Sequence, residues 1–114
     1  MAKSKRGPRI LFVTPEISYV SKRLSVAIHP FSETLSHSGY GGSDFVPMPS
    51  SFEPCGLPQM IGTRYGALPI AHATGGLIDT VKHLNVEENS GNGFLFEHFS
   101  AEGLHWDIDK AMEF

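Results

Sequence analysis

P-S-S-F-E-P-C-G-L from Pro49 to Leu57, R-Y-G-A-L-P-I from Arg64 to Ile70 and T-G-G-L-I-D-T-V from Thr74 to Val81 follow closely upon one another in the middle of the chain. Apolar runs and polar turns alternate through them, which predicts a strand, loop and helix, followed by another strand, loop and helix. Pro58 suits the first turn of the first helix, and Gly66 suits the residue just after its end. This stretch therefore indicates an α/β fold with a mostly parallel sheet.

Further strands are predicted on both sides of this stretch. The apolar run Ile10 to Val13 is closed by Thr14-Pro15, which is typical of a strand buried in a parallel sheet. Asp44 to Pro49 has strand character, although Pro47 lacks a backbone donor and would weaken a central strand. Gly93 to Phe96 is another short strand.

Besides the helix that begins at Pro58, three helices are predicted. The first is capped by Ser32 and should end early, because each glycine at 39, 41 and 42 costs up to about 1 kcal/mol in a helix interior. The second follows Gly76 and carries apolar residues as far as Leu84. Ser100 caps the last helix, on which Asp107 and Asp109 should lie on the solvated face. The apolar face of that helix should comprise Leu104, Ile108, Ala111 and Met112.

Length and composition exclude several classes of protein. The 114 residues suffice for one small domain, and a net charge of −3 gives no attraction to nucleic acid or to an anionic membrane. The single cysteine excludes an internal disulfide framework and fits a reducing compartment. No apolar run approaches the roughly 20 residues that span a bilayer, and no secretory signal opens the chain. We therefore expect a cytoplasmic protein with neither nucleic acid nor membrane as a partner.

The two central loops carry the residues most suited to a function. Both should emerge at the carboxyl edge of the sheet, where α/β proteins bind ligands. Gly75 and Gly76 allow close backbone approach, and the helix that follows offers amides and its dipole to a phosphate. Glu53 could accept hydrogen bonds from sugar hydroxyls. The pattern favours a nucleotide-sugar or sugar-phosphate site, with a solvated Glu53 and an ordinary turn as the alternatives.

Six histidines and one cysteine raise the question of a metal site. No histidine pair at i, i+4 has a third ligand nearby, and the lone cysteine cannot form a Cys pair. We therefore expect neither a metal nor another cofactor.

At these residues the chain strongly resembles the bacterial glycogen synthases and plant starch synthases. That family consists of retaining GT-B glucosyltransferases with two Rossmann-like domains. The resemblance covers about Phe31 to Phe114 and includes F-S-E-T-L-S-H, F-E-P-C-G-L, R-Y-G-A-L-P-I, T-G-G-L and G-F-L-F. R-I-L-F-V-T-P-E-I, from Arg9 to Ile17, is similar to the opening strand of the family. The resemblance thus implies a tail with a remnant of that strand in residues 1–30, and a partial C-terminal donor domain, Rossmann-like, in residues 31–114.

The resemblance also implies substrates and residue roles. The family transfers glucose from ADP-glucose to the non-reducing end of an α-1,4-glucan, and Glu53 would be the catalytic carboxylate that contacts the donor glucose. The other implied residues bind substrate, through backbone amides to sugar and phosphate, an aromatic ring on adenine and a lysine near the donor. They are Cys55, Gly56, Thr74, Gly75, Gly76, Phe31 and Lys22. Alternatives are a small buried filler for Cys55, a core side chain for Phe31 and a surface loop for Lys22.

Other features depart from the family pattern. A Lys-x-Gly-Gly-Leu loop is replaced by Ser21 to Ser25, and Phe31 follows soon after, so the chain resembles a synthase with its middle removed by truncation or internal deletion. Gly39 and Pro47 would each weaken folding. Three hypotheses follow: an enzyme fragment with little or no turnover alone, a non-catalytic remnant that binds nucleotide sugar or glucan, and a degenerate chain that folds poorly. A second chain that supplies the missing domain would also fit.

Overall fold

The structure is a computed structural model, and it describes residues 9–10 and 32–113. Four helices and three strands alternate along this part of the chain. They are α1 (Glu33–Gly42), β1 (Phe45–Met48), α2 (Pro58–Arg64), β2 (Leu68–His72), α3 (Gly75–Thr80), β3 (Phe94–Phe96) and α4 (Ala101–Glu113). The strands form a parallel sheet in the order β1-β2-β3. The predicted α/β fold with a parallel sheet is thus confirmed.

The sheet is covered on both faces. Because side chains alternate across a strand, Val46 and Met48 face one side of β1 and Phe45 faces the other. The first side lies against α2 and forms one apolar cluster with residues from α1 and α3 (Tyr40, Val46, Met48, Ala67, Ala71, Leu77 and Val81). The second packs against α4 in another (Ile70, Phe94, Phe96 and Ala111, bordered by Phe45, Leu68, Leu84, Leu104 and Ile108).

Residues 9–10 lie beside the outer edge of β1. Ile10 forms a parallel bridge to Phe45, and the Arg9 guanidinium binds the Asp44 carboxylate through Nε at 3.1 Å and Nη2 at 2.8 Å. The Phe45 amide donates to the Arg9 carbonyl at 3.1 Å, so Pro47, two residues further along, has its missing N–H on this same side. Pro47 therefore removes no bond between β1 and β2. The rest of the predicted opening strand, residues 11–13, lies outside the described residues.

Helix α1 corrects the expectation that glycines end it early. It continues through Gly39 and Gly41 to Gly42, for a length of ten residues. Tyr40 is buried, and its ring stacks on Tyr65 with centroids 6.2 Å apart. Burial of a large apolar side chain contributes about 1.5–3 kcal/mol, which offsets the roughly 1 kcal/mol that a glycine costs. Packing against α2 thus outweighs local helix propensity.

Three expectations about the later helices were wrong. Helix α3 ends at Thr80, so Leu84 lies beyond it. On α4, Met112 is half exposed rather than part of the apolar face. Asp107 is buried rather than solvated, with only 4% of its surface exposed. Ser100 does cap α4, since its Oγ accepts from the Gly103 amide at 3.0 Å.

Each helix of the part that the structure describes is too short or too polar to cross a membrane.

Candidate functional site

Two loops meet at the carboxyl edge of the sheet. The acidic loop (residues 50–57) follows β1, and the glycine turn (residues 73–76) follows β2. Parallel strands end at the same edge, so the topology alone brings both loops to one side. They also bond directly, since the Gly76 amide donates to the Glu53 carbonyl at 2.9 Å.

The two glycines of the turn allow backbone to pack against backbone. A Cβ on Gly75 would lie 2.1 Å from the Glu53 carbonyl oxygen, and one on Gly76 would lie 2.7 Å from Cys55 Cα. Gly75 also has a φ of +47°, in the left-handed region. Sequence reasoning expected this close approach to be toward a ligand, whereas here it is toward the acidic loop. The glycine pair therefore fixes how the two loops fit together.

This packing limits which groups of the turn face a ligand. The Gly76 amide is bound to Glu53, and the Thr74 amide donates to the His72 carbonyl at 2.9 Å. The Thr74 side chain makes no cap hydrogen bond to α3. In this arrangement, the groups of the turn that could meet a ligand are the Gly75 amide and the Thr74 hydroxyl.

Gln59 holds the acidic loop from behind. It is 1% exposed, and its Nε2 donates to the carbonyls of Cys55 at 3.0 Å and Gly56 at 2.8 Å. It also donates to Thr80 Oγ1 at 3.2 Å, and that hydroxyl donates to the Gly76 carbonyl at 2.9 Å. One buried amide thus links the acidic loop to the first and last turns of α3. Sequence reasoning missed Gln59, and its position three residues after Gly56 on α2 was the available signal.

His72 anchors the start of the same loop. This buried residue at the end of β2 donates from Nδ1 to the Ser50 carbonyl at 2.8 Å, since a carbonyl can only accept. Its ring also packs against Phe96 and Phe99, with centroids 5.5 Å and 5.1 Å away. Sequence reasoning missed His72 as well.

The structure brings most of the predicted site residues together. Glu53 is half-buried, Gly56 is buried with a φ of +78°, and the Cys55 thiol is exposed. The exposure of Cys55 contradicts the alternative that it is a small buried filler. Phe31 and Lys22, which were predicted to contact adenine and the donor, lie outside the described residues.

Residues 9–10 and 32–113 contain no group of three or more His, Cys, Asp or Glu side chains placed to hold a metal ion.

Comparison with known proteins shows what the chain is similar to. No protein-family model matches the chain. Over 84 residues, or 74% of this chain, it is 52% identical to the glycogen synthase of Bacillus subtilis strain 168 and covers 17% of that protein. Over the same length it is 49% identical to the glycogen synthase of Mycoplasma mobile, of which it covers 18%. The extent of these matches agrees with the three-quarters of the chain in which the motifs lie.

A solved structure shows the same relationship. The catalytic domain of starch synthase IV from Arabidopsis thaliana, bound to ADP and acarbose, superposes with a TM-score of 0.68 at 41% identity. The superposition covers 74% of this chain and 18% of that one. Fold and sequence together make the chain similar to one part of these enzymes. These relatives are glycogen and starch synthases, and the chain spans 17% to 18% of their length.

Proposed function

We propose that this domain is the donor-sugar part of an ADP-glucose-dependent glucan synthase. The reaction transfers glucose from ADP-glucose to the non-reducing end of an α-1,4-glucan with retention. The names of the relatives support the glucan product, and the ADP in the Arabidopsis structure supports the nucleotide.

The observation that supports this proposal best is the pair of hydrogen bonds by which Gln59 holds the acidic loop, here called the clamp. Gln59 Nε2 binds the carbonyls of Cys55 and Gly56, and a trans peptide points its N–H opposite to its C=O. The amides of Gly56 and Leu57 are therefore turned away from Gln59, toward the outer side of the loop. A rigid loop with oriented amides suits a site that must hold a sugar in one position.

We assign the following roles within this site. The Glu53 carboxylate contacts the donor glucose as the glycosidic bond breaks, and the backbone at Cys55 and Gly56 contacts the same sugar. The Thr74 hydroxyl and the Gly75 amide bind the diphosphate. Gly76 supports the turn through its bond to Glu53. In this proposal, the Phe31 ring stacks on the adenine and Lys22 lies near the donor.

We further propose that these 114 residues alone bind the donor with little or no turnover. Glucosyl transfer in a two-domain enzyme needs a closed cleft that excludes water and aligns donor with acceptor. A non-catalytic module that binds nucleotide sugar or glucan is the alternative, and a second chain could complete the cleft. The lone cysteine supports a cytoplasmic location.

A thermal melt with ADP-glucose tests donor binding. A ligand that binds only the folded state stabilises it by about 1.4 kcal/mol at a tenfold excess over Kd. We expect millimolar ADP-glucose to raise the Tm of the wild type and of the surface variant Glu88→Gln, but not that of Glu53→Gln. A cooperative melt that ADP-glucose leaves unmoved would refute donor binding. The absence of any cooperative transition would favour a degenerate chain.

A glucosyl-transfer assay tests the claim about turnover. We expect no incorporation of glucose into glycogen by the chain alone. Turnover equal to that of a complete synthase would overturn that claim.

A further inference from the structure

A concave site lies beside β3, away from the acidic loop and the glycine turn. It is a cavity of about 530 Å³ between α4 and the segment after β3, and it shares no lining residue with the acidic loop or the glycine turn. Its chemically active lining residues are His83, Glu97, His98, Glu102, Trp106 and Asp107. Leu95 and Phe96 contribute apolar surface.

Asp107 is the feature that the fold alone does not explain. The residue is 4% exposed and lines the cavity, and its carboxylate has no hydrogen-bond donor among the residues that the structure describes. Burial raises the pKa of this carboxyl, and the nearby His83 partly opposes that rise. The Asp107 oxygens are not among the fully enclosed polar atoms without a partner, so they open onto the cavity and can accept a hydrogen bond from a group that enters it.

The remaining lining residues define what such a donor would be. Trp106 is the largest aromatic surface of the cavity and is 60% exposed, and the Lys110 ammonium lies over its ring, 5.3 Å from the centroid. Glu97, Glu102 and Asp107 make the cavity anionic, which disfavours phosphates and supplies acceptors for hydroxyl groups. In a neutral His83, Nε2 carries the proton, because Nδ1 accepts from the Leu95 amide at 3.1 Å. An apolar ring face beside carboxylate acceptors matches a pyranose, which has an apolar C–H face and a rim of hydroxyls.

We propose that this cavity binds a sugar ring of a neutral oligosaccharide, with the ring against Trp106 and a hydroxyl donated to Asp107. This cavity is separate from the donor site, and its proposed role does not depend on the function proposed above. In a glucan synthase it would hold polymer at a distance from the reacting end.

The single tryptophan of the chain makes this directly measurable, since Trp106 is its only source of indole fluorescence. The full chain is titrated with maltotriose, and the emission of Trp106 is followed. Sorbitol at equal concentration controls for an open-chain polyol, and choline tests an organic cation. We expect a saturable change with maltotriose alone, with half-saturation at millimolar concentration.

Two variants on α4 make the test specific. Asp107→Asn keeps the shape but loses the charge, and we expect about tenfold weaker binding, because hydrogen bonds to charged groups are roughly twice as strong as neutral ones. Asp109→Asn removes a carboxylate whose side chain is 58% exposed on the same helix, and it should bind as the wild type does. Glu53→Gln should also leave the maltotriose response unchanged.

Each outcome decides the proposal. Weaker binding in Asp107→Asn, with the cooperative melt retained, supports it. A flat titration of folded protein overturns it, as do equal affinities of the two α4 variants or a response to choline instead of maltotriose. If Asp107→Asn fails to fold, Glu102→Gln serves in its place and should also weaken binding. The ADP-glucose melt is read separately, so either proposal can fail without the other.

Discussion

Replacement of Gly75 by alanine tests the contact between the two loops. The new Cβ would lie 2.1 Å from the Glu53 carbonyl oxygen, so a backbone segment must move. Overpacking of this kind costs roughly 1–3 kcal/mol, and an alanine in the left-handed region adds roughly 1–2 kcal/mol. The sum of about 2–5 kcal/mol is a large share of a typical stability of about 5–15 kcal/mol. At about 4–8 °C for each kcal/mol, the Tm should fall by about 10 °C or more.

Two other glycines separate these costs. Gly66 has a φ of +86° but no atom within 4 Å of its hypothetical Cβ, so Gly66→Ala measures the backbone cost alone. Gly42 also has open space around it and no positive φ, so Gly42→Ala should not destabilise the fold. Urea unfolding followed by far-UV circular dichroism gives the three free energies. If Gly75→Ala costs no more than Gly66→Ala, the loops are not in contact as described.

Three further predictions concern buried groups. Gln59→Leu should destabilise the chain by roughly 2–4 kcal/mol in urea unfolding, because two carbonyls lose their donor, whereas exposed Met60→Ala should cost far less. Equal losses would show that the clamp is not formed. Ile70→Ala should cost about 2–5 kcal/mol in the same assay, since Ile70 is fully buried, and a smaller loss would mean a loosely packed core. Asp107→Asn should raise the Tm at pH 7. Burial raises the pKa of the Asp107 carboxyl, so the folded state favours its protonated form. Stability is therefore lost as the pH rises through that pKa, and an uncharged asparagine avoids this loss. The gain in Tm should shrink toward pH 4, and a gain that does not depend on pH would contradict this reasoning. The other titratable groups at the cavity are His83, His98, Glu97 and Glu102.

Local signals sufficed for most of the fold. Pro58 and Gly66 bound α2 because one fits the first turn of a helix and the other adopts a positive φ just after it. Strands β2 and β3 were predicted because short apolar runs ended by turns suit a buried parallel sheet. Tertiary packing decided the exceptions. Helix α1 runs through its glycines because Tyr40 stacks on Tyr65, which lies 25 positions away in sequence and is invisible to any local pattern.

The sequence identified the two loops of the candidate site but not the contacts between them. Glu53 and the glycine pair were identified from sequence, and the loops that carry them do meet. The sequence could not show that the Gly76 amide donates to the Glu53 carbonyl, since that bond depends on the distance between two loops. Gln59 and Asp107 were missed for a related reason, because a polar residue on a helix is usually exposed unless the surrounding fold covers it.

The parallel sheet has a consequence for how fast the chain acquires its structure. Phe45 pairs with Leu68, Ile70 with Phe94 and Ile10 with Phe45, so partners are 23, 24 and 35 positions apart in sequence. No described strand pair is joined by a tight hairpin. Each pairing therefore loses the conformational entropy of closing a loop before its hydrogen bonds form. Topologies dominated by such distant contacts fold slowly for their size. We therefore expect refolding from urea to be slower than for a helical bundle of equal length, with unpaired strand edges exposed to aggregation while the sheet assembles.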